Sequence, residues 1–265
     1  MPEFFDDDLR QAGFENVDLS GARFVHVDLT GAQFRSVDLT SVVMRGVDLC
    51  NVDIHGELLN VTINDVDVGP LIEAELNKRD PLRVKMKPTD ASGFCEAWDI
   101  VEQLWGETVE RARRLEPELL HASVGGEWSL VETLRHLVFA TDSWVRRAIL
   151  GDPSPWDALD LPWDEMPDTP GVPRDRQLRP SLDTVLALRR QRMATVRQVL
   201  AGLTDESLAG QTVPVEGPGW PASRSYPIRQ CLSVILNEEW EHRRYAERDL
   251  QILEAAGAGP TTLPY

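Results

Sequence analysis

From Asp8 to Thr62 the chain reads DLRQA GFENV DLSGA RFVHV DLTGA QFRSV DLTSV VMRGV DLCNV DIHGE LLNVT, a five-residue pattern held for eleven units. The centre of every unit is apolar: Leu9, Phe14, Leu19, Phe24, Leu29, Phe34, Leu39, Met44, Leu49, Ile54 and Leu59. Two residues before these centres, from the second unit to the tenth, stand Ala12, Val17, Ala22, Val27, Ala32, Val37, Val42, Val47 and Val52. A period of five matches neither the 3.6 of an α-helix nor the 2.0 of a strand, so neither element alone can gather these residues on one face. It fits a chain that turns a corner every five residues.

This pattern resembles the pentapeptide-repeat family. The resemblance implies a right-handed quadrilateral β-helix over residues 1–68, with four units per coil and the central Leu or Phe pointing inward. Residues twenty apart then share a column, so Phe14 stacks on Phe34, and Leu9 on Leu29 and Leu49. Eleven units make fewer than three coils, and so short a solenoid needs a cap. The stretch VGPLIEAEL predicts a short helix from about Pro70 that serves as one. Asn77 to Asp90, NKRDPLRVKMKPTD, is basic, aperiodic and broken by proline, so residues 69–89 are expected to hold a capping helix and a linker.

The chain carries a net charge of −17, and residues 1–68 hold thirteen acidic side chains against four arginines. Nucleic acid and anionic membrane are excluded as partners on this ground, because binding phosphate requires clustered Lys and Arg. Outward Asp8, Asp18, Asp28, Asp38 and Asp48 admit two readings: a solvated face, or the duplex-DNA mimicry for which some pentapeptide-repeat proteins are known, through which the repeats would engage a protein partner. A start of MPEFFDDDLRQ has neither basic n-region nor apolar h-region, and no run approaches 18 apolar residues, so a cytoplasmic location is expected. Cys50, Cys95 and Cys231 lack any CxxC spacing, which argues against disulfides and thiolate zinc sites.

Beyond the linker the grammar changes, and all eight tryptophans lie after residue 97. Apolar residues recur at i, i+3, i+4 and i+7 over about 91–115, 129–150, 181–203 and 227–254, which predicts an all-α four-helix bundle over 90–265. Ser129 and Glu132 form a capping box at the head of the second helix, and Pro227 suits the first position of the fourth. The segment between the second and third helices, rich in Pro, Asp and Trp, is too long and apolar for an ordinary connection. It either seals one end of the bundle or walls a ligand pocket.

On the last helix, steps of 100° place Glu238 and His242 within the stripe of Cys231, Val234, Ile235, Tyr245, Ala246 and Leu253, with Arg243 and Arg244 turned away. A carboxylate in that position demands a counter-charge or metal, and a pair four residues apart reaches one ion. His136 flanks the apolar stripe of the second helix, beside small Thr133, Ala140 and Ser143. For these residues a hydrogen-bonded pair and a buried histidine stand as alternatives to metal ligation. Cys231 and the tryptophans 98, 105 and 144 are expected in the core.

The stretches GEWSLVETLRHLVFA and LNEEWEHRRYAERDL resemble the DinB/YfiT family. That resemblance implies a divalent metal (Zn, Ni or Mn) on His136, Glu238 and His242, with one departure: the family usually has His where this chain has Glu238. It further implies a thiol-dependent S-transferase or isomerase that uses a low-molecular-weight thiol such as mycothiol or bacillithiol on a small electrophile. The alternative is a non-catalytic interaction module with acidic repeats and a structural metal. A homodimer is left open.

Overall fold

The computed structural model describes residues 4, 7–35, 37–56 and 58–257, and the chain separates into two units, Met1–Glu57 and Leu58–Tyr265. In the first, the corner every five residues is present in the backbone. Gln11, Asn16, Gly21, His26, Gly31, Ser41, Gly46 and Asn51 all have positive φ. Alternate corners are hydrogen-bonded turns, with Ala22 N–H donating to Leu19 O (2.9 Å), Ala32 to Leu29 (2.9 Å) and Val42 to Leu39 (3.1 Å). Gly21 and Gly31 occupy the third turn position, where φ near +76° favours glycine, which has no Cβ to strain there. The Asp preceding each turn accepts a hydrogen bond from the amide two residues on, as Thr30 N donates to Asp28 Oδ1 at 2.9 Å and Thr40 N to Asp38 Oδ1 at 2.8 Å.

The expected dry column is not seen among the described residues. Leu29 is 49% exposed and Phe34 64%. Among the described residues, no backbone hydrogen bond joins positions twenty apart. The physical reason lies in range: alternate corners are specified within their own pentapeptide, by an Asp, a positive φ and one turn bond, whereas coil-on-coil pairing depends on residues distant in sequence.

The second unit opens with a tight hairpin, β1 (Thr62–Ile63) and β2 (Val66–Asp67), whose two-residue turn places Asn64 and Asp65 at positive φ. The short helix expected from Pro70 is α1, Gly69–Arg79. The basic stretch after it is ordered as a 3₁₀ turn, Pro81–Met86, in which Asp80 accepts from Leu82 N. Lys87 and Arg83 both reach back to Glu73 of α1 and hold its carboxyl down to about 2.

The four longer helices follow the predicted boundaries. They are α2 (Ala91–Ala112), α3 (Leu130–Thr141), α4 (Leu182–Ala201) and α6 (Ile228–Gly257), with a one-turn α5 (Asp205–Leu208) between the last two. Asp90 caps α2 by accepting from Gly93 N, and its buried stripe of Phe94, Ala97, Trp98, Val101 and Trp105 has helical spacing. The Ser129–Glu132 capping box forms as read. Pro227 sits one place earlier than expected: its carbonyl accepts from Cys231 N, so it precedes the first helical residue.

Helix α3 does not stop at Thr141 but continues as a π-helical segment, Asp142–Ile149. α3 packs on α4 and α6, and α2 on α4 and α6, around a core that includes Trp98, Leu134, Leu137, Val185 and Leu236. Two ion pairs cross this core. Arg189 of α4 meets Glu239 of α6 at 2.8 and 3.1 Å, and Arg192 forks onto Asp142 at 2.8 Å through both nitrogens. No described helix is long and apolar enough to cross a membrane.

Candidate metal centre and its cavity

His136 lies two turns into α3, with Glu238 and His242 one turn apart on α6, and the packing of those helices brings all three together. One ligand atom from each lies within 4.8 Å of the others. Glu238 Oε2 is 3.2 Å from His136 Nε2 and 3.1 Å from His242 Nε2. Burial works against the Glu238 charge, but hydrogen bonds from His136 and then His242 outweigh it and hold the carboxyl well below the usual carboxylate range. His136 Nδ1 donates to the carbonyl of Leu161 at 2.9 Å, which turns Nε2 inward. An imidazole oriented this way from behind, one carboxylate and a second imidazole form a donor set that suits a divalent ion with a position left open.

Trp128, for which no role follows from the pattern of its helix, packs against two members of this cluster. Its ring stacks on His242 with centroids 5.9 Å apart and planes 5° apart, and tilts against His136 at 4.7 Å. A signal for it exists: Trp128 directly precedes the N-cap Ser129, a position whose side chain commonly folds back over the first turns of a helix.

Below the cluster is a cavity of about 180 Å³. His136 and Glu238 form its polar end, and Phe139, Trp144, Trp163, Trp220 and Val234 are among its walls. Trp163 and Trp220 meet edge to face with centroids 4.9 Å apart. The long segment after α3 is therefore a pocket wall: it supplies both Trp163 and the Leu161 carbonyl behind His136. Trp144 packs against the core as expected, but it is only partly buried and also lines the cavity.

Two fully buried arginines set these walls. Arg135 donates to Leu159 O (2.8 Å) and Asp175 O (2.7 Å), fastening the segment that holds Trp163. Arg147 donates to Pro153 O (2.8 Å), Gly217 O (2.8 Å) and Val215 O (3.1 Å), fastening the one that holds Trp220. Gly219 permits this approach, since a Cβ there would lie 2.8 Å from the Arg147 guanidinium carbon.

The remaining candidates fall elsewhere. Cys231 is in the core as expected, beside Ala148 and Tyr226, and burial pushes its thiol up to about 11. Arg243 is not turned away: its Nε donates to Thr108 Oγ1 (3.0 Å) and Leu104 O (3.2 Å), because α6 is covered by α2 as well as α3 and its buried arc exceeds one stripe. Glu239 was not singled out by sequence and is 1% exposed.

Helices whose interior presents two imidazoles and a carboxylate at one point define a class of domain suited to metal chemistry. The chain belongs to the DinB superfamily, whose family model matches residues 100–246, and it joins that domain to pentapeptide repeats, matched in eight copies over residues 18–56. No curated protein and no solved structure matches the chain.

Proposed function

We propose that the helical domain is a DinB-type four-helix bundle that holds a divalent metal (Zn, Ni or Mn) on His136, Glu238 and His242. We propose also that it acts as a thiol-dependent S-transferase or isomerase on a small electrophile, with a low-molecular-weight thiol such as mycothiol or bacillithiol. The convergence of three donor atoms within 4.8 Å carries this reading. When bound, such an ion supplies Lewis acidity and lowers the pKa of a thiol or water in its open position. Glu238 offsets part of the ion's charge, the Leu161 carbonyl keeps Nε2 of His136 aimed inward, and Trp128 shields His242 from water. The cavity beneath would seat the electrophile.

Elemental analysis of protein prepared without chelator is expected to find close to one transition metal per chain, lowered in each of His136→Ala, Glu238→Ala and His242→Ala. Glu238→His should retain metal. Absence of metal, together with a melting temperature unmoved by added zinc, nickel or manganese, would sink the proposal.

For the repeats we propose the right-handed quadrilateral β-helix of their family. Corners at every fifth residue support it, as does the stabilisation available from drawing half-exposed Leu and Phe centres out of water. Exposure of Asp8, Asp18, Asp28 and Asp38 favours a second reading, in which the acidic repeats dock a protein partner and the metal is structural. A cobalt-substituted spectrum that ignores added thiol would select it.

A further inference from the structure

The cavity beneath the histidines has a definite size and polarity, and together they specify what it accepts. Its volume of about 180 Å³ compares with the roughly 150 Å³ at which an apolar protein cavity admits a benzene ring. Three indoles, a phenyl and Val234 form the walls, and no Lys or Arg is among them. The nearby cations Arg135 and Arg147 are committed to backbone carbonyls. An anionic substituent placed among these walls would lose its hydration without a partner. An organic cation would lie over aromatic faces, but it would face the positive charge of the loaded centre, since a divalent ion exceeds the single charge of Glu238.

We propose that the cavity binds an uncharged apolar group the size of a single six-membered ring, with the ligand's donor or electrophilic atom directed to the His136–Glu238 end. This rests on the proposed function for the identity of the reactive end, and it deepens that reading by assigning the substrate class. The aromatic walls orient it: the ring lies among Trp144, Trp163 and Trp220, with its substituent toward His136 and Glu238.

The test uses the full chain, both chelator-treated and zinc-loaded, with three probes that share one head group: benzyl alcohol, 4-(hydroxymethyl)benzoate and 4-(hydroxymethyl)phenyl-trimethylammonium. Binding is followed by saturation-transfer NMR and titration calorimetry. Benzyl alcohol is expected to bind both forms at least tenfold more tightly than the carboxylate probe, and the zinc-loaded form at least tenfold more tightly than the ammonium probe, with ring protons showing contacts to tryptophan indoles. Val234→Phe, which fills the space from α6, should abolish that binding. Equal or tighter binding of the carboxylate probe by either form, or of the ammonium probe by the zinc-loaded form, absence of benzyl alcohol binding, or binding undiminished in a folded Val234→Phe protein would overturn the proposal. If the variant does not fold, ring-to-indole contacts in the native chain decide: their absence overturns it. Zinc uptake is scored separately, so a chain that takes zinc but not benzyl alcohol refutes the cavity assignment alone, and one that takes benzyl alcohol but not zinc refutes the metal reading alone.

Discussion

The two units spend similar sequence resources in opposite ways. In the repeats an apolar residue stands at the centre of every pentapeptide, yet Leu29 is 49% exposed; in the helical domain Leu134 is fully buried. The repeat backbone is held by contacts within five residues, an Asp carboxylate on an amide and one turn bond. The helical domain is held by contacts between residues fifty and a hundred apart, such as Arg189 with Glu239 and His136 with Glu238. Local order and burial are thus separable, and the site lies where both are present.

The largest expected effect tests the long-range half of this contrast. Glu239→Ala strands the Arg189 guanidinium in the core and should cost about 3–5 kcal/mol in urea unfolding, whereas Arg189→Met combined with Glu239→Leu should recover most of it. If the single variant unfolds like the native chain, the pair does not organise the core.

Next comes the repeat unit. Leu29→Asp should cost several kcal/mol if the coils stack as proposed, since a charge would enter the column without a partner. Asp28→Asn keeps an acceptor for Thr30 N and should be nearly neutral. Matching melts for the two variants would mean that the centres stay half in water.

A third effect depends on pH. Asp160 is fully buried and its Oδ1 has no hydrogen-bond partner; burial, with the Asp142 charge adding to it, pushes its carboxyl well above the usual range. The folded state then binds this proton more tightly than the unfolded chain, so stability is complete below the ordinary carboxylate pKa of 3.8 and declines as pH rises through the folded value. Asp160→Asn should remove that decline, and the difference between variant and native urea midpoints should widen with pH. A constant difference would count against a neutral Asp160.

The smallest effect tests the local half. Ser41 occupies the turn position taken by Gly21 and Gly31, at φ +62°. Ser41→Gly should relieve strain and raise the stability of the repeats by about 0.5–1 kcal/mol, and Gly31→Ser should lower it comparably. A thermal melt of each resolves the sign.

Much of this was legible in the sequence wherever the determinant was local. The five-residue period marked the corners, Ser129 and Glu132 marked the head of α3, and the four-residue spacing of Glu238 and His242 put both on one helix face. Legibility failed where a residue's role depends on a distant partner. Glu239 reads as one more acidic residue in a charged stretch until Arg189 is placed opposite it. Trp220 belongs to a segment without periodicity, and nothing local reveals that Arg147 draws it to the cavity. Trp144 reads as a core residue and does pack against the core, but its share in the cavity wall emerges only once Trp163 and Trp220 are placed.

The bond from His136 Nδ1 to the Leu161 carbonyl joins the three-residue cluster to a segment that contributes no ligand atom. Energetically this is a shared hinge pin: any occupant that favours the inward-facing ring must favour, to the same degree, the backbone that braces it, and by reciprocity whatever clamps the segment between α3 and α4 tightens the grip at Nε2. Slower protease cleavage of residues 150–180 would therefore report occupancy of a site that the protease never touches.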